Sequence, residues 1–410
     1  MKKNVNKALE INDFDFVDTY SSILTNNSVL SSLRKTALQD YMQQPFPTDK
    51  THGWRKVSLE GFDPRQFSLS ERNGIVSDLV SEDERVISEI VTDHARLIPK
   101  HVLNKIGTIV HPHSGKFAAF AHAFSKGTAV IYIPEDVQVN QPIIFRQSYQ
   151  GADQAIPENI LIYLARNASA CIVRERENQE NSRLFLDGST EIYLEENAHL
   201  DLIEVQEGNQ KTWNIQLEKA VLEQSATINW FTFTHAVTLS RSQLIVDLAG
   251  KGSEAHIAGL FLPEADQRFY FDTAQNHLAT DTVSDLLYHG VIEGESRSIW
   301  QGMVYIAEQA ARSNGYQANC NLVLSERAKI DSIPGLEILT DDVRCSHGVT
   351  ISNLDPGQLF YLMSRGIEEN DARELIVSGF IEQVLDRIPS EAIRELIKNE
   401  FISKINKDML

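Results

Sequence analysis

Cysteine is scarce in this 410-residue chain, with Cys171, Cys320 and Cys345 the only three. Three scattered thiols cannot form a disulfide framework, and without a Cys-x-x-Cys pair neither a zinc ribbon nor a redox dithiol has its usual support. A reducing compartment is expected. Basic residues are also in deficit, 38 Lys and Arg against 57 Asp and Glu, for a formal charge of −19. Nucleic acid and anionic membranes are bound mainly through clustered Lys and Arg, so that balance argues against both as partners. No run of eighteen apolar residues occurs, and no membrane-spanning helix is expected. Met1 to Asp15 develops no apolar segment, so no secretory leader is expected and the chain reads as cytoplasmic.

Familiar catalytic signatures are missing too. A phosphate-cradling loop ends in Gly-Lys followed by Ser or Thr, and the nearest strings, Gly115-Lys116-Phe117 and Gly250-Lys251-Gly252, lack the hydroxyl that holds magnesium. There is no Gly-x-Ser-x-Gly elbow for a hydrolase nucleophile. His111-Pro112-His113 resembles a chelate, but two histidines around a proline are read as an exposed loop.

What is present is a globular composition, 42% hydrophobic and 8% aromatic, organised in three periods. Leu30, Leu33, Ala37 and Tyr41 recur at helical steps, and Pro45 and Pro47 end that element. The charged stretch Ser81 to Val102 also reads as roughly helical, so residues 1–115 are expected to form a mostly helical region. From Lys116 the pattern turns to β-branched bursts such as Val130-Ile131-Tyr132-Ile133, Ile160-Leu161-Ile162-Tyr163 and Ile228-Asn229-Trp230-Phe231. No long helical pattern interrupts them before the mid-350s, which disfavours a doubly wound sheet.

Self-similarity narrows the architecture. The strings Ala170-Cys171-Ile172, Ala198-His199-Leu200, Ala226-Thr227-Ile228 and Ala255-His256-Ile257 open successive strands about 28 residues apart, with a weaker copy at Ala328-Lys329-Ile330. Near-equal spacing after turn residues implies stacked coils that bury their faces on one another. Residues 116–353 are therefore expected to form a β-solenoid, a parallel β-helix, with a propeller or sandwich as the alternative. His199 and His256 occupy a variable repeat position and are read as solvated; Cys171 and Cys320 are read as packing residues.

Beyond residue 353 the helical period returns. Asp355 is placed to cap a helix opened by Pro356 and closed by Gly366. A second helix carries Ala372 to Ile388, and a third starts at Ser390. Residues 354–410 are expected either to cap the open coil edge or to dock a partner.

One constellation stands out chemically. On a strand, Asp341-Asp342-Val343-Arg344-Cys345-Ser346-His347-Gly348-Val349 places Cys345 and His347 side by side between two valines. Thiolate and imidazole are ligands that iron-sulfur clusters accept, but two of them cannot hold a cluster alone. Buried cysteine is equally well explained as a small hydrophobe. The competing reading is a polysaccharide lyase or hydrolase, for which the pairs Asp341-Asp342 and Glu195-Glu196 offer carboxylates. Adjacent strand residues face opposite ways, so neither pair makes a dyad by itself.

The strings Tyr316-Gln317, Asn321-Leu322-Val323-Leu324-Ser325, Ile333-Pro334-Gly335-Leu336-Glu337-Ile338, Asp341 to Gly348 and Gln358 to Ile367 together resemble the SufB/SufD family of iron-sulfur cluster assembly proteins. Pro134-Glu135-Asp136-Val137, Gln141-Pro142-Ile143 and Trp54-Arg55 are similar to earlier family landmarks. The modest length and Ser346-His347-Gly348, where SufB shows Glu-His-Glu, look most like SufD. This resemblance implies a right-handed parallel β-helix between helical regions, a heterodimer with SufB through the β-helices, and engagement of the SufC ATPase by the C-terminal helices. It implies a non-catalytic scaffold in which His347, with Cys345 as its neighbour, stands at the interface where a nascent cluster assembles. A flavin is implied only at the level of the whole complex, and this chain carries no dinucleotide fingerprint. Exposed coil edges also allow a homodimer when the heterologous partner is absent.

Overall fold

Alternating apolar residues from Thr128 onward build two stacks of parallel strands, eight in each, with successive strands passing from one stack to the other. This computed structural model describes residues 30–408 apart from 49, 52, 70–74, 93 and 179–181. The leader expectation at Met1 to Asp15 and the helical reading before residue 30 lie outside them. The first sheet runs from Thr128–Ile133 to Lys329–Ile338, the second from Ile143–Tyr149 to Val343–Asn353, and every coil pairs in parallel with the next. The protein is a parallel β-solenoid.

Both sheets turn one face to a shared lumen. Ile172, Leu202, Trp230, Ile257 and Leu286 from the second sheet meet Ile162, Ile192, Ala220 and Val246 from the first. All coils but the last enter the second sheet through one residue in the left-handed region, giving the column Asp136, Asn167, Asn197, Ser225, Gly252, Asp281 and Arg312. Asn and Asp tolerate that conformation because their short polar side chains bond locally. Here they also bond one another, Asn197 Nδ2 to Asn167 Oδ1 at 3.0 Å and Asn167 Nδ2 to Asp136 Oδ1 at 2.8 Å.

The repeat marked by alanine is partly out of register with this column. Ala198 and Ala226 are equivalent, but their structural neighbours are Ala168 and Ser253. Ala170 and Ala255 instead pair with Leu200 and Ile228, two residues further along the strand. Ala328 precedes a strand of the opposite sheet.

The N-terminal region differs from its helical expectation. Within the charged stretch Ser81 to Val102, Ile87–Val91 is a strand antiparallel to Thr128–Ile133, and Ile75–Val80 pairs antiparallel with Ile143–Tyr149. Charged residues here reflect an edge strand, which avoids unwanted pairing by carrying charge. These two strands close the first coil on both sheets. The same region carries helices α1 (Ser31–Gln43), α2 (Lys100–Leu103) and α3 (Lys116–Phe124). The run Lys116 to Phe124 was expected to begin the strands. It is a helix because apolar runs do not reveal their own period and alanine favours the helical state. Phe117, Phe120 and Phe124 pack with Tyr41, Phe62, Phe185 and Trp213 on the outer face of the first sheet.

At the other end Asp355 accepts a hydrogen bond from Gly357 N at 2.8 Å and opens α4 (Pro356–Ser364), with Gly366 at φ +87° closing it. Helices α5 (Glu369–Leu385) and α6 (Glu391–Asp408) follow. Val377, Ile381, Val384, Ile397 and Phe401 pack on the outer face of the second sheet against residues such as Phe231, Phe233 and Leu260. The helices therefore cover a flank and leave the last coil open, which corrects the capping alternative.

Candidate functional site

The last strand, Val343–Asn353, is held by its predecessor Ser313–Val323, with Cys345 opposite Gly315 and His347 opposite Gln317. Cys345 and His347 share a face, as their spacing requires. Following the register back from His347 gives Gln317, Leu286, Ile257 and Trp230, a row of lumen residues. His347 is thus the terminal residue of a lumen row, standing where the next coil would lie. It is exposed, and Val349 is 40% exposed. The flanking valines do not exclude water, because no further coil covers them.

Beneath His347, Gln317 is fully buried and donates from Nε2 to Gly335 O at 2.9 Å. Asn319, Asn321 and Ser332 form a hydrogen-bonded set beside it, with Asn321 Nδ2 donating to Asn319 Oδ1 at 2.7 Å. The floor of the open end is therefore polar and fixed, while its rim is apolar: Ile333, Leu336, Ile338, Leu339, Val349 and Ile351 are all substantially exposed.

Cys345 is half-buried and packs against Val304, Ile306, Ala307 and Ala310. Burial raises its thiol pKa, only partly offset by the Gly315 N–H. Near neutral pH it is therefore a thiol rather than a thiolate. Sequence reasoning missed its neighbour His277, whose position depends on register across two coils. His277 is fully buried, bonded through Nδ1 to Thr282 Oγ1 at 2.7 Å and through Nε2 to Ser284 Oγ at 2.8 Å. Burial depresses its pKa to about 4, so its ring is neutral.

A second group invisible in the sequence lies deeper in the lumen. Arg174 bonds Glu158 at 2.8 Å, Glu204 at 3.0 Å and Gln147 at 2.7 Å, while Trp230 Nε1 donates to Glu204 at 2.8 Å. Arg174 and Glu204 are each 1% exposed. The run Val173-Arg174-Glu175-Arg176-Glu177 reads as a solvated strand, yet Arg174 and Arg176 point inward because their carboxylate partners stand on the facing sheet and on the next coil.

The remaining candidates do not converge. The rings of His111 and His113 lie 4.1 Å apart and tilted by 33°, with His111 Nδ1 accepting from His113 N. Glu195-Glu196 and Asp341-Asp342 sit in turns. His199 and His256 lie at the surface, paired with Asp201 and Glu254. Cys171 and Cys320 are half-buried, and burial raises both thiols. Among the described residues no helix is long and apolar enough to cross a membrane.

Residues 145–380 match the family model described as the SufBD core domain of SUF-system FeS cluster assembly. The chain belongs to the SufBD family. It is 27% identical to the iron-sulfur cluster assembly protein SufD of Escherichia coli over 57% of this chain and 55% of that protein. It is 28% identical to SufB of Bacillus subtilis over 72% of this chain and 65% of the relative, and 27% identical to SufD of the same organism over 73% and 69%. The match thus spans about half the length of the Escherichia coli relative, and SufB and SufD relatives are equally similar.

Proposed function

We propose that this SufBD-family chain is the SufD-like scaffold of a cytoplasmic three-subunit assembly machine. It pairs with SufB through the bare final coil and receives a SufC ATPase on its C-terminal helices. The observation that carries the reading is His347, exposed on the terminal strand inside an apolar rim. A partner strand laid along that edge satisfies its backbone groups, buries the rim and brings a second set of side chains opposite His347.

The nascent iron-sulfur cluster is cargo at this interface. His347 offers an imidazole to it, Cys345 a thiolate once deprotonated, and SufB the remaining ligands. Ser346 and Gly348, in place of the glutamates of SufB, favour the SufD-like assignment. Helix α4 buries none of its residues and exposes Phe360 at 74% and Tyr361 at 57%, a surface suited to the ATPase. The chain itself makes and breaks no covalent bond. ATP turnover on the partner changes the separation of the two scaffolds and admits iron and sulfide to His347. Without SufB, two copies pair along the same edge.

The test is His347→Ala expressed in place of the wild-type chain. Cluster maturation is expected to fail while the three subunits still co-purify. Normal maturation with an intact complex overturns the ligand assignment. Phe360→Asp is expected to abolish capture of the ATPase without changing the melting temperature, and unchanged capture removes α4 from the docking surface.

A further inference from the structure

A second metal-competent cluster lies about the flank helices, away from the final coil. Glu207 and His235 end neighbouring strands, His199–Glu207 and Thr227–His235, and are register partners. Glu400 reaches them from α6. One ligand atom from each of the three lies within 4.8 Å of the others, and His235 Nε2 is 3.1 Å from Glu400 Oε1. The His235 side chain is only 2% exposed. Its ring stacks on Phe233 at 4.8 Å, and Phe233 in turn packs on Phe401, one residue beyond Glu400. Ring and helix are thereby held in a fixed relation.

Two carboxylates and one imidazole form a donor set without sulfur. It suits a divalent first-row ion such as zinc or ferrous iron and gives a soft cluster no thiolate. The geometry points to a mononuclear divalent transition-metal site formed by Glu207, His235 and Glu400, which fastens α6 to the second sheet. The ion takes the place between His235 Nε2 and Glu400 Oε1 now bridged by a hydrogen bond. Glu207 completes three protein ligands, and water fills the open positions. Because the ligands come from two strands and one helix, binding pins the helical flank to the solenoid. This site is independent of the interface reading, since neither Cys345 nor His347 takes part.

The experiment uses the full chain after chelator treatment, titrated anaerobically with Zn²⁺ or Fe²⁺ by calorimetry and with Co²⁺ by visible absorption. One equivalent per chain is expected, with slower amide exchange across Glu391–Asp408 when metal is present. Glu400→Gln and Glu207→Gln are each expected to weaken binding about tenfold or more and to lose the Co²⁺ band, while melting like the wild type in chelator. Equal affinity in wild type and both variants overturns the site, as does the absence of binding to the wild type. If either variant fails to fold, the wild-type exchange measurement decides alone, and unchanged exchange in Glu391–Asp408 with metal overturns the proposal. Preference between the zinc and iron arms identifies the ion.

Discussion

Gly315 and Cys345 are register partners, and the glycine makes room for the thiol. A Cβ at position 315 would stand 3.1 Å from Cys345 Sγ, 3.3 Å from His277 Nε2 and 2.8 Å from Val304 Cγ1. Two of those neighbours are lumen residues with little freedom to move. Gly315→Ala is therefore expected to cost about 1–3 kcal/mol by overpacking and to push Cys345 outward. Urea unfolding measures the first effect. Faster reaction of Cys345 with a thiol reagent, in a background with Cys171 and Cys320 replaced by Ser, measures the second. Unchanged stability and reactivity would show that the end coil relaxes freely.

The lumen ion group makes stability fall as pH rises from about 4.5 to about 8. Burial and the charge of Glu204 raise the Glu218 pKa to about 8, with Arg176 and Arg174 opposing. The folded chain holds this proton above the unfolded value of 4.5, so its contribution is lost as pH rises from about 4.5 to about 8. Glu218→Gln cannot ionise and is expected to flatten that slope, leaving the variant about 1–3 kcal/mol more stable than wild type at pH 9. Denaturant midpoints at several pH values check this, and parallel profiles would refute it.

Acid is expected to loosen the flank helices first. His289 bonds Phe380 O through Nδ1 at 3.0 Å and stacks on the Phe380 ring at 4.6 Å, joining α5 to the second sheet. Burial lowers its pKa to about 4, aided by the charge of Arg387 and opposed by the Phe380 carbonyl. A depressed histidine contributes stability above its unfolded pKa of 6.5, and that contribution drains as pH falls toward 4. Hydrogen exchange in Glu369–Leu385 should accelerate across this window before exchange in the lumen strands does. His289→Gln should lose the pH dependence, and synchronous exchange throughout the chain would contradict the assignment.

The left-handed column offers a stabilising substitution. Ser225 sits at φ +55°, where its neighbours in the column are Asn197 and Gly252. The left-handed conformation costs most residues roughly 1–2 kcal/mol, and asparagine less. Ser225→Asn is expected to raise the melting temperature by a few degrees, and a lower melting temperature would show that the turn is set by something other than backbone preference.

Much of this architecture is legible from residues alone. Bursts such as Ile160-Leu161-Ile162-Tyr163 announce strands, Asp355, Pro356 and Gly366 punctuate α4, and alternation alone puts Cys345 and His347 on one face. What escapes has a common cause, since a solenoid brings together residues nearly thirty positions apart and the sequence does not print its register. Arg174 meets Glu204 from the next coil of its own sheet and Glu158 from the facing one, His277 approaches Cys345 across Gly315, and Glu207 meets His235 through strand pairing. The strands Ile75–Val80 and Ile87–Val91 escape because edge strands look like polar helix. The exposure of His347 depends on where the stacking stops, and that is a property of the whole chain.

The two ends of the solenoid differ in a way that governs growth. Antiparallel strands Ile75–Val80 and Ile87–Val91 seal the first coil, while Lys329–Ile338 and Val343–Asn353 end the stack without a cover. The two ends therefore present different edges: short charged antiparallel strands at the first coil, and long parallel strands with an apolar rim at the last. Any chain that adds to the stack by parallel pairing in the solenoid's own pattern can do so only at the last coil, because the first is already paired antiparallel.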